Sequence, residues 1–194
     1  MTNSYLTGKN ILLRHLEIAD AASLFKYLDN DAVWKWLRHA QPTTENQMIS
    51  LIQEILQEVS DGYREAFAIF SKSENEVIGT TSFFGNQVSP LTIEIGGTFI
   101  GQSFWRTGIN REAKLLLMEE AFETREFKQV IFKTDSLNSR SIQAIIDLGA
   151  TYEFTSFNHM QRPDGSWRDS NYYSIAKRDW DNVKNFLIRS TNQS

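Results

Sequence analysis

The chain has 194 residues, 41% hydrophobic and 23% charged, with a formal net charge of −4 and no cysteine. This is ordinary globular composition and enough chain for one domain with a full core, expected to span residues 1–194. It excludes disulfides, thiolate nucleophiles and cysteine-based metal sites, and the absence of any basic cluster argues against a nucleic-acid partner.

The N-terminal Met-Thr-Asn-Ser-Tyr-Leu-Thr-Gly lacks a signal peptide's apolar region. No apolar run approaches the roughly 20 residues of a membrane span, so a soluble cytoplasmic protein is expected. The histidines, His15, His39 and His159, are too scattered to suggest a metal site. Residues 10–17 read as a strand. Asp20 is placed to cap a helix carrying Leu24, Phe25 and Leu28, and residues 31–36 form an aromatic-rich helix or turn. A longer helix starts at Pro42-Thr43-Thr44-Glu45, with Thr43 or Thr44 as cap and Met48, Leu51, Ile52, Ile55, Leu56 and Val59 at helical spacing.

A meander of three strands follows at 65–71, 76–84 and 91–100. The next helix runs to about Glu123. Residues 129–134 form a buried strand, Asn138 opens a helix that Gly149 ends, and strands at 152–160 and 167–176 are joined through Pro163-Asp164-Gly165. A last helix starts near Trp180. The crossover from the meander to 129–134 makes those two strands parallel, which predicts an α+β fold with a mixed sheet.

Between the third meander strand and its helix lies Phe104-Trp105-Arg106-Thr107-Gly108-Ile109-Asn110-Arg111. A basic, glycine-containing turn running into a helix aims several backbone N–H groups at one spot, where the helix dipole adds positive charge. That suits a phosphate-like anion. It is neither a Walker loop nor a dinucleotide fingerprint.

Three spaced stretches, Trp105–Asn110, Lys133–Ser141 and Pro163–Ser170, together resemble the GNAT superfamily of acyl-CoA-dependent N-acyltransferases. The likeness covers about residues 8–185. It is nearest to the branch containing the ribosomal-protein alanine and serine N-acetyltransferases. It implies a mostly antiparallel twisted sheet of about seven strands, flanked by helices and split at a cofactor cleft. It also implies acetyl-CoA as co-substrate, no metal, and an acceptor amine on a protein N-terminus or a small molecule. A membrane partner is not expected; a homodimer is left open.

By the same resemblance, Trp105, Arg106, Thr107, Gly108, Ile109, Asn110 and Arg111 carry the cofactor's pyrophosphate. Thr98, Phe99 and Ile100 pair with its pantetheine arm, and Asn138 and Ser141 face it. Gly108 fills the family's central glycine. Trp105 stands where Arg or Gln is usual, Asn110 where Gly or Ala is usual, and Ile145 where many members have an acidic Tyr.

The reaction needs a base for the acceptor ammonium. Glu94, in the otherwise apolar Ile93-Glu94-Ile95, is the first candidate; a solvent-facing strand Glu or a partner for a buried Arg is the alternative. Asn138 and Tyr173 complete the expected catalytic set. Tyr172 and Tyr173 point to opposite faces, so at most one meets the cleft. His159 is a candidate proton relay. Arg168 and Asp169 are expected to fix the hairpin by pairing or turn bonds. Trp34, Trp36, Phe25 and Tyr27 line an acceptor pocket or pack in the core. A CoA-binding sensor without turnover, a succinyl-CoA-using enzyme and another nucleotide-phosphate binder remain open.

Overall fold

In the computed structural model, which describes residues 5–85, 89–162 and 164–191, one open sheet organises the chain. Its eight strands are β1 (Tyr5–Thr7), β2 (Ile11–His15), β3 (Arg64–Ser71), β4 (Glu76–Gly85), β5 (Thr92–Ile100), β6 (Gln129–Asp135), β7 (Thr151–Gln161) and β8 (Trp167–Ala176). They lie in the order β1-β2-β3-β4-β5-β6-β8-β7. All neighbours are antiparallel except β5 and β6, which are parallel, as the crossover between them requires.

The eighth strand is β1, in a stretch the sequence presents only as a polar N-terminal tail. Three residues are too short to show alternation. The Gly8 N–H donates to the Ile11 carbonyl at 3.0 Å, and the turn folds Tyr5–Thr7 back onto β2.

Strand alternation gives the sheet two apolar faces. Ala66 and Ala68 of β3 face α1 (Ala21–Leu28) and α3 (Glu45–Ser60), with Leu24, Leu28, Met48, Ile52 and Ile55 packed on them. Phe67 and Ile69 face the other way, toward α4 (Ile109–Glu119) and α6 (Trp180–Thr191), where Leu117, Trp180 and Leu187 close the core. Burial of a large apolar side chain contributes about 1.5–3 kcal/mol, so α3's stripe alone fixes that helix to the sheet. Between α1 and α3 lies the short α2 (Asp31–Trp34), and α5 (Ser139–Ile146) follows β6. Among the described residues no helix is long and apolar enough to cross a membrane.

The expected caps divide. Thr44 caps α3, its hydroxyl accepting from the Gln47 N–H at 3.2 Å. Asp20 stands at the N-cap of α1 as expected, but its side chain makes no cap hydrogen bond. Its carboxylate is taken by the Arg14 guanidinium and the Glu17 N–H, because a buried carboxylate favours a forked cation over one helical amide.

Candidate active site

The sheet comes apart at one place. β5 and β6 pair only where Thr92, Ile93 and Glu94 meet Gln129, Val130 and Ile131. Beyond that point β5 stays with β4 and β6 stays with β8, so a wedge opens between them. The bend has a local cause. The β4–β5 register shifts between Thr80 and Ser82, and the extra β5 residue falls at Gly97–Thr98. Gly97 has φ +56°, and an added Cβ would lie 2.8 Å from an Arg64 guanidinium nitrogen, so the bulge needs glycine. The edge of β5 across Thr98, Phe99 and Ile100 is left without a strand partner on the β6 side. The Phe99 side chain itself is buried against α1 and α3, so only its backbone serves that edge.

At the end of β5 the chain makes the basic turn. Arg106 has φ +65° and Gly108 φ +88°, and the space around Gly108 is open. Gly108 is the N-cap of α4 and brings no side chain to the cap, so among the described residues the first N–H groups, at Ile109, Asn110 and Arg111, have no capping partner. Arg106 and Thr107 are exposed beside them. Thr107 secures the turn by donating to the Phe104 carbonyl at 2.7 Å. Trp105, the departure from the family pattern, ties the turn to the strand by donating from Nε1 to the Ile100 carbonyl at 2.9 Å.

The opposite wall begins at the end of β6. Asn138 caps α5, its Oδ1 accepting from the Ser141 N–H at 3.1 Å, and among the described residues its amide N–H₂ has no acceptor. Ser141 thus serves the same first turn. Arg140, unremarked in the sequence, lays its guanidinium 3.4 Å over the Trp105 ring and bridges the two walls. Ile145 is buried in the core, so α5 offers no hydroxyl at the position of the usual Tyr.

Glu94 lies at the apex of the wedge. Its apolar flanks turn away, and its Oε2 is 3.2 Å from Lys133 Nζ on β6. Its partner is therefore a lysine rather than a buried arginine. Lys133 also lies 5.9 Å from the centre of the Tyr172 ring, which stacks on Phe154 at 4.5 Å. The Tyr172 hydroxyl is 3.3 Å from His159 Nε2, and His159 Nδ1 is 3.0 Å from Ser170 Oγ. Glu94, Lys133, Tyr172, His159 and Ser170 thus form one polar run. Burial first, then the charges of Lys133 and Arg168, lower the His159 pKa, so at neutral pH the ring is uncharged. Burial and the Glu94 charge raise the Tyr172 pKa.

Tyr173 does not belong to this run. It is buried opposite Phe132, edge-on to Tyr152 at 5.7 Å, in the core on the α4 side. The alternation that allows one of the two tyrosines near Glu94 selects Tyr172. Asp169 fixes the hairpin as expected, accepting from the Asn158 N–H at 2.8 Å, whereas Arg168 does not pair with it. Pro163 lies outside the described residues. Of the aromatic group, Trp34 is core, tilted against Phe99 with ring centres 5.6 Å apart, yet it also borders an open cleft of about 260 Å³. That cleft separates α2 and the segment after it from Arg162 and Asp164 of the β7–β8 hairpin.

Residues 10–151 match the family model of the acetyltransferase (GNAT) domain. The chain belongs to the GNAT family. It is 26% identical to the uncharacterized N-acetyltransferase p20 of Bacillus licheniformis, over 90% of this chain and 97% of that protein. A crystal structure assigned as an acetyltransferase from T. thermophilus superposes with a TM-score of 0.86 at 31% identity, covering 98% of each chain. The ribosomal-protein branch is a more distant GNAT neighbour. The ribosomal-protein-S5-alanine acetyltransferase of Vibrio fischeri is 16% identical, over 91% of this chain and 98% of that one, with a TM-score of 0.72, a likeness of fold alone. GNAT acetyltransferases use acetyl-CoA and an amine acceptor, and this chain is an N-acetyltransferase by that membership.

Proposed function

We propose that the chain moves an acetyl group from acetyl-CoA to a primary amine by direct attack, with both substrates bound at once on a single domain. The observation that carries this reading is the placement of Glu94. It lies where β5 and β6 part, while the free edge of β5 leads to the uncapped start of α4.

The residues present suit the cofactor. The backbone N–H groups of Ile109, Asn110 and Arg111, with Arg106 beside them, suit a pyrophosphate. The edge of β5 at Thr98, Phe99 and Ile100 suits an extended amide-bearing arm, and Asn138 has amide donors to add. When bound, acetyl-CoA supplies the acyl group as a thioester. Glu94 takes the proton that the acceptor ammonium must lose before its nitrogen can attack. Backbone N–H groups at the bulge are the donors for charge developing on the acyl oxygen. As the new C–N bond forms, the C–S bond breaks and the thiolate takes up a proton. In this proposal Tyr172, backed by His159 and Ser170, replaces Tyr173 as the hydroxyl that contacts substrate.

Calorimetric titration with acetyl-CoA, succinyl-CoA and free CoA tests the cofactor assignment. Saturable binding of acetyl-CoA is expected, followed by thiol release when an accepted amine is added. Binding without release over a broad amine panel would instead support a CoA-binding module. No binding of any CoA species would remove the reading.

A further inference from the structure

Among the described residues, two buried side-chain polar atoms lack a hydrogen-bond partner, Thr80 Oγ1 and Arg168 Nε. The second is the more informative, because it belongs to a cation. The Arg168 side chain is only 11% exposed. The one hydrogen bond its guanidinium makes within the described residues is a weak contact with Met160 Sδ at 3.7 Å. The nearest carboxylate oxygen, Asp135 Oδ2, is 4.0 Å from Nε and is already held by Arg162 at 2.7 and 2.8 Å. The other Asp135 oxygen accepts from the Leu137 N–H at 2.9 Å. Asp135 therefore belongs to Arg162 and has little left for Arg168.

Burying the Nε–H of a guanidinium without a partner costs stability unless something else satisfies it. The guanidinium's planar fork matches a carboxylate, which can accept two of its donors at once. Position says where that carboxylate would come from. Arg168, Ser170 and Tyr172 alternate along β8 and share a face. Ser170 touches His159, His159 touches Tyr172, and Tyr172 borders Lys133 and Glu94. Burial lowers the Arg168 pKa, Asp135 is the strongest charge opposing that, and the Glu94 charge also acts on Arg168 across this run. The face therefore offers a carboxylate with a cation-binding task at one end and an under-partnered cation at the other. An ammonium at Glu94, alongside Lys133, would place the acceptor's carboxylate toward Arg168, which lacks a partner at Nε.

We propose that Arg168 receives a carboxylate of the acceptor, and that the acceptor is a free amino acid rather than a polypeptide N-terminus. This rests on the N-acetyltransferase reading with Glu94 at the amine. A polypeptide N-terminus carries an amide where an amino acid carries its carboxylate, and so leaves Arg168 unpaired.

The test compares α-amino acids with their α-carboxamides and with short peptides of the same first residue, by thiol release from acetyl-CoA. The intact protein is expected to favour the acid over its amide by about 100-fold in kcat/KM, since a site built for a polar group rejects the analogue lacking it. Arg168→Gln should bring that ratio close to one, and Arg168→Lys should restore part of it. Calorimetry on the CoA-loaded protein should show the N-acetyl amino acid binding to wild type and lost in Arg168→Gln. Tm separates this from a structural role: a recognition residue can be replaced without lowering Tm, whereas a hairpin-fixing one cannot.

Equal turnover of acid, amide and peptide overturns the proposal, as does an acid preference that survives Arg168→Gln, turnover confined to peptides, or no turnover of any amine. Acetyl-CoA binding reports separately on the underlying reading. If it binds tightly while carboxylates are not preferred, only the Arg168 assignment fails.

Discussion

The two sides of the Glu94 wedge are built in different ways. The proposed cofactor side is made of backbone: the open edge of β5, the turn at 101–108 and the first amides of α4, with an α5 cap across from them. The proposed acceptor side is made of side chains brought from β5, β6, β7 and β8, with α2 and the hairpin at its outer rim. A backbone site needs a conformation, which glycines and a bulge supply locally. A side-chain site needs long-range register, and one residue's slip would turn Tyr172 inward and Tyr173 outward.

Lys114 lies beneath the strand that divides the two sides. It projects from α4 to the hydroxyls of Thr81 and Thr98, which also bond each other at 2.8 Å. Burial pushes its pKa from 10.5 down to about 7, against the opposing pull of Glu94. The unfolded chain keeps this lysine protonated up to about 10.5, so between pH 7 and 10 it binds more protons than the native state and native stability rises with pH. Below pH 7 the cost of the buried charge is carried in full. The expected gain across that window is on the order of 3 kcal/mol. Lys114→Met, which leaves the two threonines paired, should be more stable than wild type at pH 7, with the gap closing toward pH 10. Denaturant melts at both pH values check this, and a pH-independent gap would show that Lys114 keeps its charge in the fold.

Glu94→Gln should separate the two sides most sharply in activity. The expected loss is about 100-fold in kcat, the usual contribution of a positioned base. The acetyl-CoA dissociation constant should barely move, because the cofactor side is backbone. If binding weakens as much as kcat falls, the two sides are not independent. An unchanged kcat and pH profile would remove Glu94 as the base.

Gly108→Pro attacks the other side. It removes an N–H and forces φ from +88° to about −65° at the cap. Acetyl-CoA affinity should fall about 30-fold, or about 2 kcal/mol. Circular dichroism should show the helix content retained, since helices tolerate strain at a cap better than in the middle. Unchanged affinity would move the phosphate site away from α4.

The same contrast explains what the sequence discloses. The turn at 104–111 is contiguous, and its glycine and basic residues announce an anion site before any fold is known. Glu94 is conspicuous because a carboxylate interrupts an apolar strand. The parallel β5–β6 pair follows from the crossover between them. The roles of Lys133 and Arg140 were hidden for the opposite reason, since their partners are 39 and 35 positions away at Glu94 and Trp105. The choice between Tyr172 and Tyr173 was also undecidable locally, because alternation says only that they differ. The register of β8 against β6, which sets Tyr172 beside Lys133, decides it.

Arg140 is where a side chain enters the backbone-built half, and it gives the smallest and most discriminating test. It stacks 3.4 Å over Trp105, whose indole N–H holds the end of β5. An arginine over a tryptophan face contributes about 0.5–2 kcal/mol. It also keeps a positive charge beside the turn expected to hold phosphates. Arg140→Ala removes both effects and should weaken acetyl-CoA binding about 10-fold. Arg140→Lys keeps the charge and loses the planar stack, and should weaken it about 3-fold. The salt dependence tells the two contributions apart. If charge dominates, wild-type affinity falls as salt rises and Arg140→Ala flattens that slope, while Arg140→Lys keeps it. If the stack dominates, both variants lose affinity equally at every salt concentration, and the cleft is held open by the Trp105–Arg140 bridge. Equal affinity in all three proteins would return the cofactor side to backbone alone.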